Sequence, residues 1–350
     1  MRFLILGLGS IGQRHCRILR ELLGNSVELF AYRQRNINVV INDNMSANLG
    51  KNPEDAYNVT LIDDLKSALS LSLDGVYITN PVFMHVDTAL KVAEAGHNIF
   101  LEKPLSHNME NIGRLIRVSN KKKLVTMVGY QLRYHIGLRT LKKHIDSKTI
   151  GTIISADIHF GEWLPGMHPY EDYRDNHISI GSQGGGVINC LSHEIDYARW
   201  LFGMPRSVVA MGGHLSCLEM KNAEDSVDLM LDFGQNDTTT LPVHIHLDFL
   251  QKPARRYACI IGDKGLLYWD YYANTVECKM HDSKQSWIES YPNWKRNDMF
   301  LDEVKNFIAS INGRESSDIP FSDAAYTTYI CNEALESLKT NKIINLSYSS

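Results

Sequence analysis

The sequence predicts an α/β chain of two domains: a doubly wound parallel sheet in residues 1–130, and an α+β domain with a large, mostly antiparallel open sheet in residues 131–350. Two observations predict this division. Up to about Gly129, short apolar strands alternate with helical patterns, which is typical of a parallel sheet covered on both faces. From Ser207 to about Met280, long strands alternate apolar and polar residues, which is typical of antiparallel strands with one buried face.

The first domain is predicted to contain six short strands separated by helices. The helices are marked by an N-cap at Asp63 or Asp64 and by glycine stops at Gly24 and Gly96. The strands are expected at Arg2–Leu6, Val27–Tyr32, Val59–Ile62, Gly75–Thr79, Asn98–Leu101 and Leu124–Val128.

The second domain is predicted to begin with a helix near Leu138–Ile145 and a strand at Ile153–Phe160. They lead into a loop, Glu162–Gly186, that is rich in aromatic residues, proline and glycine, and such a loop is more typical of a site than of a linker. The remaining elements are hairpin turns at 234–237 and 262–265 and helices at Ser192–Phe202, near Asp298–Ile311 and near Ser322–Leu338.

Composition narrows the class of protein. The 350 residues are 44% hydrophobic, enough for two buried cores, and 36 basic against 40 acidic residues form no basic stripe for nucleic acid. The six cysteines include no Cys-x-x-Cys pair, which favours a reducing cytoplasm over disulfides. No stretch approaches the roughly 20 apolar residues that span a bilayer. We therefore expect a cytoplasmic protein that binds neither nucleic acid nor membrane.

A glycine motif follows the first strand. Gly7, Gly9 and Gly12 form the pattern Gly-x-Gly-x-x-Gly between an apolar strand and a helix. Backbone amides near Ser10 and Ile11, at the start of that helix, suit a pyrophosphate. The motif predicts a dinucleotide-binding Rossmann fold. The alternative is a tight turn without a ligand, which does not require all three glycines.

The end of the second strand bears on the choice of dinucleotide. An acidic residue there normally accepts hydrogen bonds from the adenosine ribose, but the sequence reads Ala-Tyr-Arg-Gln-Arg at 31–35. Arg33 and Arg35 suit a 2'-phosphate, so the sequence favours NADP over NAD. The alternative is that both arginines are solvated at the strand end.

The sequence Glu102-Lys103-Pro104 closes the fifth strand. The carboxyl ends of parallel strands form the edge where open α/β sheets bind ligands, so Lys103 lies beside the predicted dinucleotide site. When a nicotinamide oxidises an alcohol, a positioned group must take the hydroxyl proton, and a lysine can do so. We interpret Lys103 as catalytic. The alternative is a solvated surface lysine.

Together these residues resemble the Gfo/Idh/MocA oxidoreductases over essentially the whole chain. The resemblance implies an NAD(P)-dependent enzyme acting on a secondary hydroxyl or ketone of a sugar, sugar acid or nucleotide sugar. It also implies a homodimer or homotetramer assembled through the C-terminal sheet. The motifs that carry it are the glycine turn, Thr79-Asn80-Pro81 with His85, Glu102-Lys103-Pro104, and Gly184-Gly185-Gly186 followed by Ser192-His193-Glu194-Ile195-Asp196.

The resemblance also implies roles for individual residues. Asn80 and Pro81 would line the nicotinamide side, and Lys103 would contact the reacting hydroxyl. The Lys103–Pro104 bond would be cis. The other residues expected at the cofactor are His85, Glu102, Gln131 and Arg133.

His193 is the second catalytic candidate. Ser192 is expected to cap its helix, and the helix dipole favours a neutral imidazole in the first turn. The alternative is a structural histidine satisfied by the backbone. Asp196 either orients His193 or pairs with Arg199, and both remain open.

The chain departs from the family pattern just before His193. The family usually carries an aspartate three or four residues earlier, where this chain has Asn189 and Cys190. Neither residue is a carboxylate base, although Asn189 can hydrogen-bond a substrate oxygen. A catalytically silent NAD(P)-binding regulator or scaffold is therefore the alternative function. A redox-neutral sugar enzyme with tightly held NAD is a third hypothesis.

The 162–186 loop supplies stacking faces and donors suited to a sugar. Trp163, Tyr173 and Arg174 are the expected substrate residues, with His168, Tyr170 and His177 between and after them. Arg174 suits a carboxylate or phosphate, and the alternative is a surface ion pair. The Trp163–Arg174 stretch resembles a subgroup of surface-polysaccharide and nonulosonic-sugar pathways.

His244, His246 and Asp248 share one face of a predicted strand, a spacing that also suits metal ligands. An alternating strand exposes polar residues on one face in any case. We therefore expect no metal.

Overall fold

The structure, a computed structural model, describes residues 1–34, 38–43, 45–234 and 239–348. It divides into two compact units. The first contains Met1–Tyr130, His168–Glu171 and Phe300–Tyr326, and the second contains Gln131–Met167, Asp172–Met299 and Thr327–Ser350. The first unit thus includes two segments beyond residue 130, the boundary expected from the sequence.

The first unit is an alternation of short strands and helices. Its strands are β1 (Arg2–Leu6), β2 (Glu28–Tyr32), β3 (Val39–Ile41), β4 (Ala47–Leu49), β5 (Val59–Leu61), β6 (Gly75–Ile78), β7 (Ile99–Glu102) and β8 (Thr126–Gly129). Its helices are α1 (Ser10–Leu23), α2 (Pro53–Tyr57), α3 (Leu65–Leu69), α4 (His85–Ala95) and α5 (Ile112–Lys121).

Six of these strands form a parallel sheet in the order β5-β2-β1-β6-β7-β8. The direction of winding reverses between β1 and β6. This is the doubly wound order of dinucleotide-binding folds, in which ligands bind outside the carboxyl ends of the strands at the reversal point. The glycine turn directly after β1 lies at that point.

The predicted strands of the first domain are confirmed, with ends shifted by no more than two residues. The helix signals hold as well. Asp64 accepts a hydrogen bond from the Ser67 amide at 2.9 Å, and Gly24 and Gly96 end their helices with φ of 64° and 92°. The sequence analysis missed the small β3–β4 hairpin and helix α2, which are too short to show a hydrophobic period.

A cluster of aromatic side chains lies in the core of the first unit. Tyr77 and Phe100 stack with centroids 4.8 Å apart, and Phe307 meets them edge-on at 5.6 and 5.5 Å. All three rings are buried. The segment from Phe300 is therefore packed into this unit and not only into the second.

Within the described residues, the second unit contains nine strands and several helices. Its strands are β9 (Ile153–Gly161), β10 (Ser207–Gly213), β11 (Ser226–Asp232), β12 (Pro242–Asp248), β13 (Arg255–Gly262), β14 (Gly265–Asp270), β15 (Thr275–Met280), β16 (Trp287–Ser290) and β17 (Ile344–Asn345). Its helices are α6 (Ile136–Asp146), α7 (Leu164–Met167), α8 (Val187–Cys190) and α9 (His193–Phe202), followed by α10 (Arg296–Ile311) and α11 (Phe321–Thr340), which each contribute to both units.

The nine strands form one sheet in the order β16-β15-β14-β13-β9-β12-β11-β10-β17. Every pairing is antiparallel except that of β12 with β9, so the predicted mostly antiparallel sheet is confirmed. The turn at 262–265 joins β13 to β14 as expected. Most of the other predicted turn, residues 235–237, lies outside the described residues. None of the described helices has the length and apolar character needed to cross a membrane.

Candidate active site

The turn between β1 and α1 has a different constraint at each of its three glycines. Gly7 has a φ of 108°, which favours glycine, and a Cβ on Gly12 would collide with the Gly7 carbonyl oxygen. Among the described residues, nothing lies within 4 Å of where a Cβ on Gly9 would be. Packing therefore accounts for Gly7 and Gly12 but not for Gly9. Open space at the second glycine is what a pyrophosphate needs to approach the backbone, so the turn fits a dinucleotide.

Helix α1 begins at Ser10, and no side chain among the described residues caps it. The first amides of a helix lack partners within the helix, so those of Ser10 and Ile11 suit an anion. The hydroxyl of Tyr170 hydrogen-bonds the Ser10 side chain and lies 2.8 Å from Nδ1 of His168. Burial raises the pKa of Tyr170. The sequence analysis grouped Tyr170 and His168 with the substrate loop, whereas the structure packs them beside the glycine turn.

Arg33 follows β2 and forms an ion pair with Glu54 of α2, with Nη2 2.8 Å from Oε1. Residues 31–35 contain no carboxylate, but the fold brings one to this strand end from 21 residues further along the chain. The second oxygen of Glu54 is buried without a hydrogen-bond partner among the described residues. Arg35 lies outside the described residues.

Asn80 and His85 link two loops at the edge of the parallel sheet. Nε2 of His85 lies 2.9 Å from the Asn80 carbonyl oxygen, and Nδ1 lies 2.8 Å from that of Pro104. Burial lowers the pKa of His85 while the two carbonyls oppose that shift, so the neutral ring donates to one of them at a time. This geometry makes His85 a brace between the two loops. The Asn80 amide donates to Thr88 at 2.9 Å, and its oxygen is buried without a partner among the described residues.

Lys103 directly follows β7 and is half-buried. Its peptide bond to Pro104 is cis, as the resemblance implied. The preceding residue, Glu102, is buried and its Oε1 lies 2.7 Å from Nε2 of His15 on α1. The carboxylate of Glu102 is thus held by a histidine within the same unit.

A second buried acid, Glu303 of α10, escaped the sequence analysis. Neither of its carboxyl oxygens has a hydrogen-bond partner among the described residues, and the same is true of the hydroxyl of Tyr77. Burial and the nearby charge of Glu102 raise the pKa of Glu303 well above its ordinary value. The carboxyl group of Glu303 therefore holds its proton more strongly than that of an exposed glutamate. A sequence signal existed, because Glu303 is spaced with Phe300, Val304 and Phe307 on the buried side of its helix.

In the second unit, Arg133 binds Asp196. Its Nε and Nη2 donate to the two carboxylate oxygens at 2.8 and 2.6 Å, and the hydroxyl of Thr327 donates to the same carboxylate at 2.9 Å. Arg199 is more distant, at 3.8 Å. The sequence analysis left two roles open for Asp196, orienting His193 or pairing with Arg199. Its main contact is instead the bidentate ion pair with Arg133. Gln131, two residues before Arg133, is also buried. Its side-chain oxygen has no hydrogen-bond partner among the described residues.

Helices α8 and α9 carry the residues around the family's usual aspartate. Asn189 is 3% exposed, and its amide oxygen has no partner among the described residues. His193 begins α9 and is 6% exposed. Ser192 precedes the helix, but its side chain makes no capping hydrogen bond to it, so that part of the prediction is wrong. A buried amide oxygen without a partner suits a donor from a ligand, such as a hydroxyl group.

Glu224 supports the start of α8. Its Oε1 accepts a hydrogen bond from the Ile188 amide at 3.0 Å, and a Cβ on Gly186, which has a φ of 100°, would collide with its carboxyl group. Burial raises the pKa of Glu224 to about 7. No pattern in the sequence points to this residue, because its partner lies 36 positions away and only the tertiary fold joins them.

The predicted substrate residues of the 162–186 loop differ in their surroundings. Trp163 and Tyr173 are half-buried, and the hydroxyl of Tyr173 accepts the Glu219 amide at 3.1 Å. Arg174 is half exposed and pairs with Asp172 at 2.5 Å and Glu219 at 3.0 Å. The ion-pair alternative for Arg174 thus describes its present contacts, and a substrate anion would have to replace a carboxylate.

The candidate residues belong to two units. The first holds the glycine turn, Arg33, Asn80, Pro81, His85, Glu102 and Lys103, and the second holds Gln131, Arg133, Trp163, Tyr173, Arg174, Asn189 and His193. Within the first unit, the glycine turn and Lys103 follow parallel strands at the same edge of one sheet.

Two family models match the chain. Residues 1–130 match a model described as an oxidoreductase family with an NAD-binding Rossmann fold, and residues 138–268 match the GFO/IDH/MocA C-terminal domain. The two matches are consecutive and belong to the same family.

Curated relatives agree with these matches. Myo-inositol 2-dehydrogenase of Thermotoga maritima is 25% identical over 361 residues, which cover 99% of this chain and 98% of that protein. 2,7-Anhydro-N-acetylneuraminate hydratase of Mediterraneibacter gnavus is 25% identical over 167 residues, and the match spans less than half of either protein, 45% and 43%. Several of these relatives are thus matched over only about half of their length.

Solved structures share the fold. The WlbA dehydrogenase of Bordetella pertussis, determined with NADH and UDP-GlcNAcA, superimposes with a TM-score of 0.80 over all of this chain and 98% of that one. The two sequences are 20% identical, so this likeness concerns the fold alone.

Proposed function

The chain belongs to the Gfo/Idh/MocA oxidoreductase family, and we propose that it transfers hydride between a nicotinamide dinucleotide and a secondary hydroxyl or ketone of a sugar, sugar acid or nucleotide sugar. One observation carries the proposal. The glycine turn has open space at Gly9, and Lys103 follows β7 at the same edge of the sheet. A dinucleotide site and a proton-transfer group therefore occur together where α/β sheets bind ligands.

Lys103 is the residue that exchanges the hydroxyl proton. The bound nicotinamide supplies or accepts the hydride. Glu102 is held by His15, so its carboxylate is directed to that partner, while His85 braces the loop that carries Pro104. Asn80, with its buried amide oxygen, binds on the nicotinamide side together with Pro81. The first unit thus both binds the cofactor and supplies the main catalytic group.

In the second unit, Asn189 and His193 are the proposed substrate-binding residues. Both are buried, and Asn189 presents an amide oxygen that accepts from a sugar hydroxyl. An amide cannot take a proton as a base, so the proposal assigns proton transfer to Lys103, and His193 is the second catalytic candidate. Trp163 and Tyr173 supply stacking faces of the kind that sugars bind.

The substrate class is narrowed by the relatives' names. They include inositol 2-dehydrogenases, an anhydro-N-acetylneuraminate hydratase, and a dehydrogenase solved with UDP-GlcNAcA. Two of these names denote acidic sugars, which agrees with the nonulosonic-sugar resemblance of the 163–174 stretch. We therefore place cyclic polyols, hexoses and carboxylated sugars first in a substrate panel.

Lys103→Ala tests the catalytic role. Purified protein is incubated with NADH or NADPH and keto-sugars, or with the oxidised cofactors and sugars, and nicotinamide absorbance is followed. The variant should lose about 10²- to 10⁴-fold in kcat, the usual contribution of a general acid–base, with cofactor affinity retained. Lys91→Ala, an exposed lysine of the same unit, is the matched control. Turnover by Lys103→Ala equal to that of the control would refute the role.

The same assay separates the competing functions. A silent regulator would bind cofactor and show no turnover on any substrate, which Asn189 in place of the usual aspartate makes a specific alternative. A redox-neutral enzyme, as the hydratase name suggests for that relative, would convert sugar with tightly held NAD and no net change in absorbance. Product analysis by mass spectrometry distinguishes it from the regulator.

Cofactor preference depends on Arg33 and Glu54. Arg33 favours NADP, but the Glu54 carboxylate at 2.8 Å compensates its charge and opposes a 2'-phosphate. The partnerless Glu54 oxygen can instead accept a ribose hydroxyl. We therefore expect NADH to bind at least as tightly as NADPH, and Glu54→Gln to shift the ratio of Kd values about tenfold toward NADPH, or ~1.4 kcal/mol. An unchanged ratio would overturn this reasoning.

The open face of the nine-stranded sheet is the proposed oligomer contact. Met211, Met230 and Ile261 are exposed by 73%, 43% and 46% on strands of this sheet. Exposed apolar side chains on a broad sheet favour association with a second copy. Sedimentation of the wild type and of Met211→Asp tests this, and a monomeric wild type would refute it.

A further inference from the structure

Charged and polar side chains form a connected cluster on the open face of the nine-stranded sheet. In the strand register, His246 of β12 lies between Asp228 of β11 and His159 of β9. The rings of His159 and His246 stack with centroids 4.8 Å apart. Gln251, just after β12, brings its amide nitrogen to 2.7 Å from Nε2 of His159 and also contacts Asp248.

Three of these side chains converge. His159, His246 and Asp248 each offer one nitrogen or oxygen as a possible metal ligand, and these atoms all lie within 4.8 Å of one another. Nε2 of His246 is 2.9 Å from Oδ2 of Asp248. Around a tetrahedral zinc ion with bonds of about 2.0–2.2 Å, neighbouring ligand atoms are about 3.4 Å apart. The present spacing thus needs only small side-chain movements to enclose an ion.

The side chains that contact the candidate ligands are arranged as in known metal sites. The other ring nitrogen of His246, Nδ1, lies 2.8 Å from Oδ1 of Asp228, which forms the carboxylate–histidine pair that orients metal ligands. Tyr257 of β13 stacks on His159 at 5.0 Å and 4°, which fixes the plane of that ring. The ligands lie on paired strands, so the ladder holds their backbones at constant spacing.

We propose that His159, His246 and Asp248 bind a divalent transition-metal ion such as Zn²⁺, with the side-chain oxygen of Gln251 as a fourth ligand after rotation of its amide. Two imidazoles with a carboxylate favour zinc, cobalt or nickel over magnesium or calcium. The sequence analysis considered His244 together with His246 and Asp248 and expected no metal. It missed His159, which lies 87 residues before His246 and is brought beside it only by the parallel β9–β12 pair.

The position of the cluster suggests what the ion does. Asp248 is paired with Gly161 at the end of β9, and its carbonyl oxygen accepts the Glu162 amide at 3.1 Å. The chain enters the 162–186 loop at this point. A bound ion would therefore fix the strand end from which the loop with Trp163 and Arg174 begins.

The test is zinc binding by the chelator-treated, full-length protein. Isothermal titration calorimetry with ZnCl₂ should give one ion per chain, confirmed by metal analysis after dialysis. Co²⁺ in place of Zn²⁺ should give the visible absorption of a four-coordinate site. His246→Gln and Asp248→Asn should each abolish this binding, and Asp228→Asn, which acts through His246, should weaken it about 10- to 100-fold.

His244→Gln is the matched control. His244 lies on the same strand and face and pairs with Asp157 and Asp228 at 2.7 and 2.9 Å, but it is not one of the three converging residues. It should bind zinc as the wild type does. Circular dichroism and NADH binding confirm that each variant is folded. The proposal fails if the wild type binds no zinc, or if His246→Gln binds it as tightly as His244→Gln.

Discussion

Glu224 makes the stability of the protein depend on pH in a way that a single substitution removes. Its carboxyl group is buried beside Gly186 and accepts the Ile188 amide at the start of α8. Burial raises its pKa from the ordinary 4.5 to about 7, against two backbone hydrogen bonds that lower it. Between these two values the folded protein holds a proton that the unfolded chain has released.

The sign and size follow from this difference. When the folded state binds more protons than the unfolded state, the free energy of unfolding falls as pH rises. The loss in the free energy of unfolding that Glu224 causes is therefore absent below about pH 4.5, grows between about pH 4.5 and 7, and is constant above about pH 7. At 1.36 kcal/mol for each unit, the full difference is about 3 kcal/mol. Glu224→Gln keeps an oxygen for the Ile188 amide but cannot ionise.

Urea unfolding at about pH 5 and about pH 8, followed by circular dichroism, tests this. Between these pH values the free energy of unfolding of the wild type should fall by about 2–3 kcal/mol more than that of Glu224→Gln. The variant should be the more stable protein at the higher pH. Glu219→Gln, whose carboxylate lies on a side chain that is 70% exposed in the same segment, should keep the wild-type slope. Equal slopes for the wild type and Glu224→Gln would refute the reasoning.

Further predictions concern the first unit. Gly9→Ala should weaken NADH binding at least about tenfold, ~1.4 kcal/mol, with stability unchanged, because its Cβ enters only the open space at the turn. Gly12→Ala should instead destabilise the protein by about 1–3 kcal/mol, because its Cβ collides with Gly7; equal effects of the two on stability would contradict this. His85→Ala should cost about 1–3 kcal/mol of stability by leaving a buried carbonyl without a donor. It should also lower kcat about 10- to 100-fold by displacing the Lys103–Pro104 loop, and His85→Gln, which keeps one donor, should lose less.

Local patterns in the sequence were sufficient to predict most of the strands and helices. The apolar runs of the first domain predicted six strands, and glycines at 24 and 96 predicted where helices end, because those helices need a residue with positive φ. The same patterns give strand ends only to one or two residues, since a ladder ends where its neighbour does. They could not reveal β3, β4 or α2, which contain no full hydrophobic period.

Contacts between distant residues were the part of the site that the sequence could not provide. Arg133 was expected at the cofactor, yet its guanidinium binds Asp196, 63 residues later. The sequence around Arg33 contains no acidic residue, yet Glu54 of α2 forms an ion pair with it. In both cases the sequence motif singled out the arginine but could not identify the carboxylate that pairs with it. The partner depends on how helices pack, which neither spacing nor composition encodes.

Buried side-chain amides, found in both units, bear on the aspartate that the family usually carries before His193. Asn80, Gln131 and Asn189 each hold a buried side-chain oxygen without a partner among the described residues. Leaving such an oxygen unsatisfied costs about 1–3 kcal/mol, and a ligand with a hydroxyl or amide donor at any one of them would remove that cost. Amides bind and orient, but they do not exchange protons at neutral pH. Under the proposed function, the amide at position 189 can therefore bind a sugar hydroxyl but cannot take its proton, which another group must exchange.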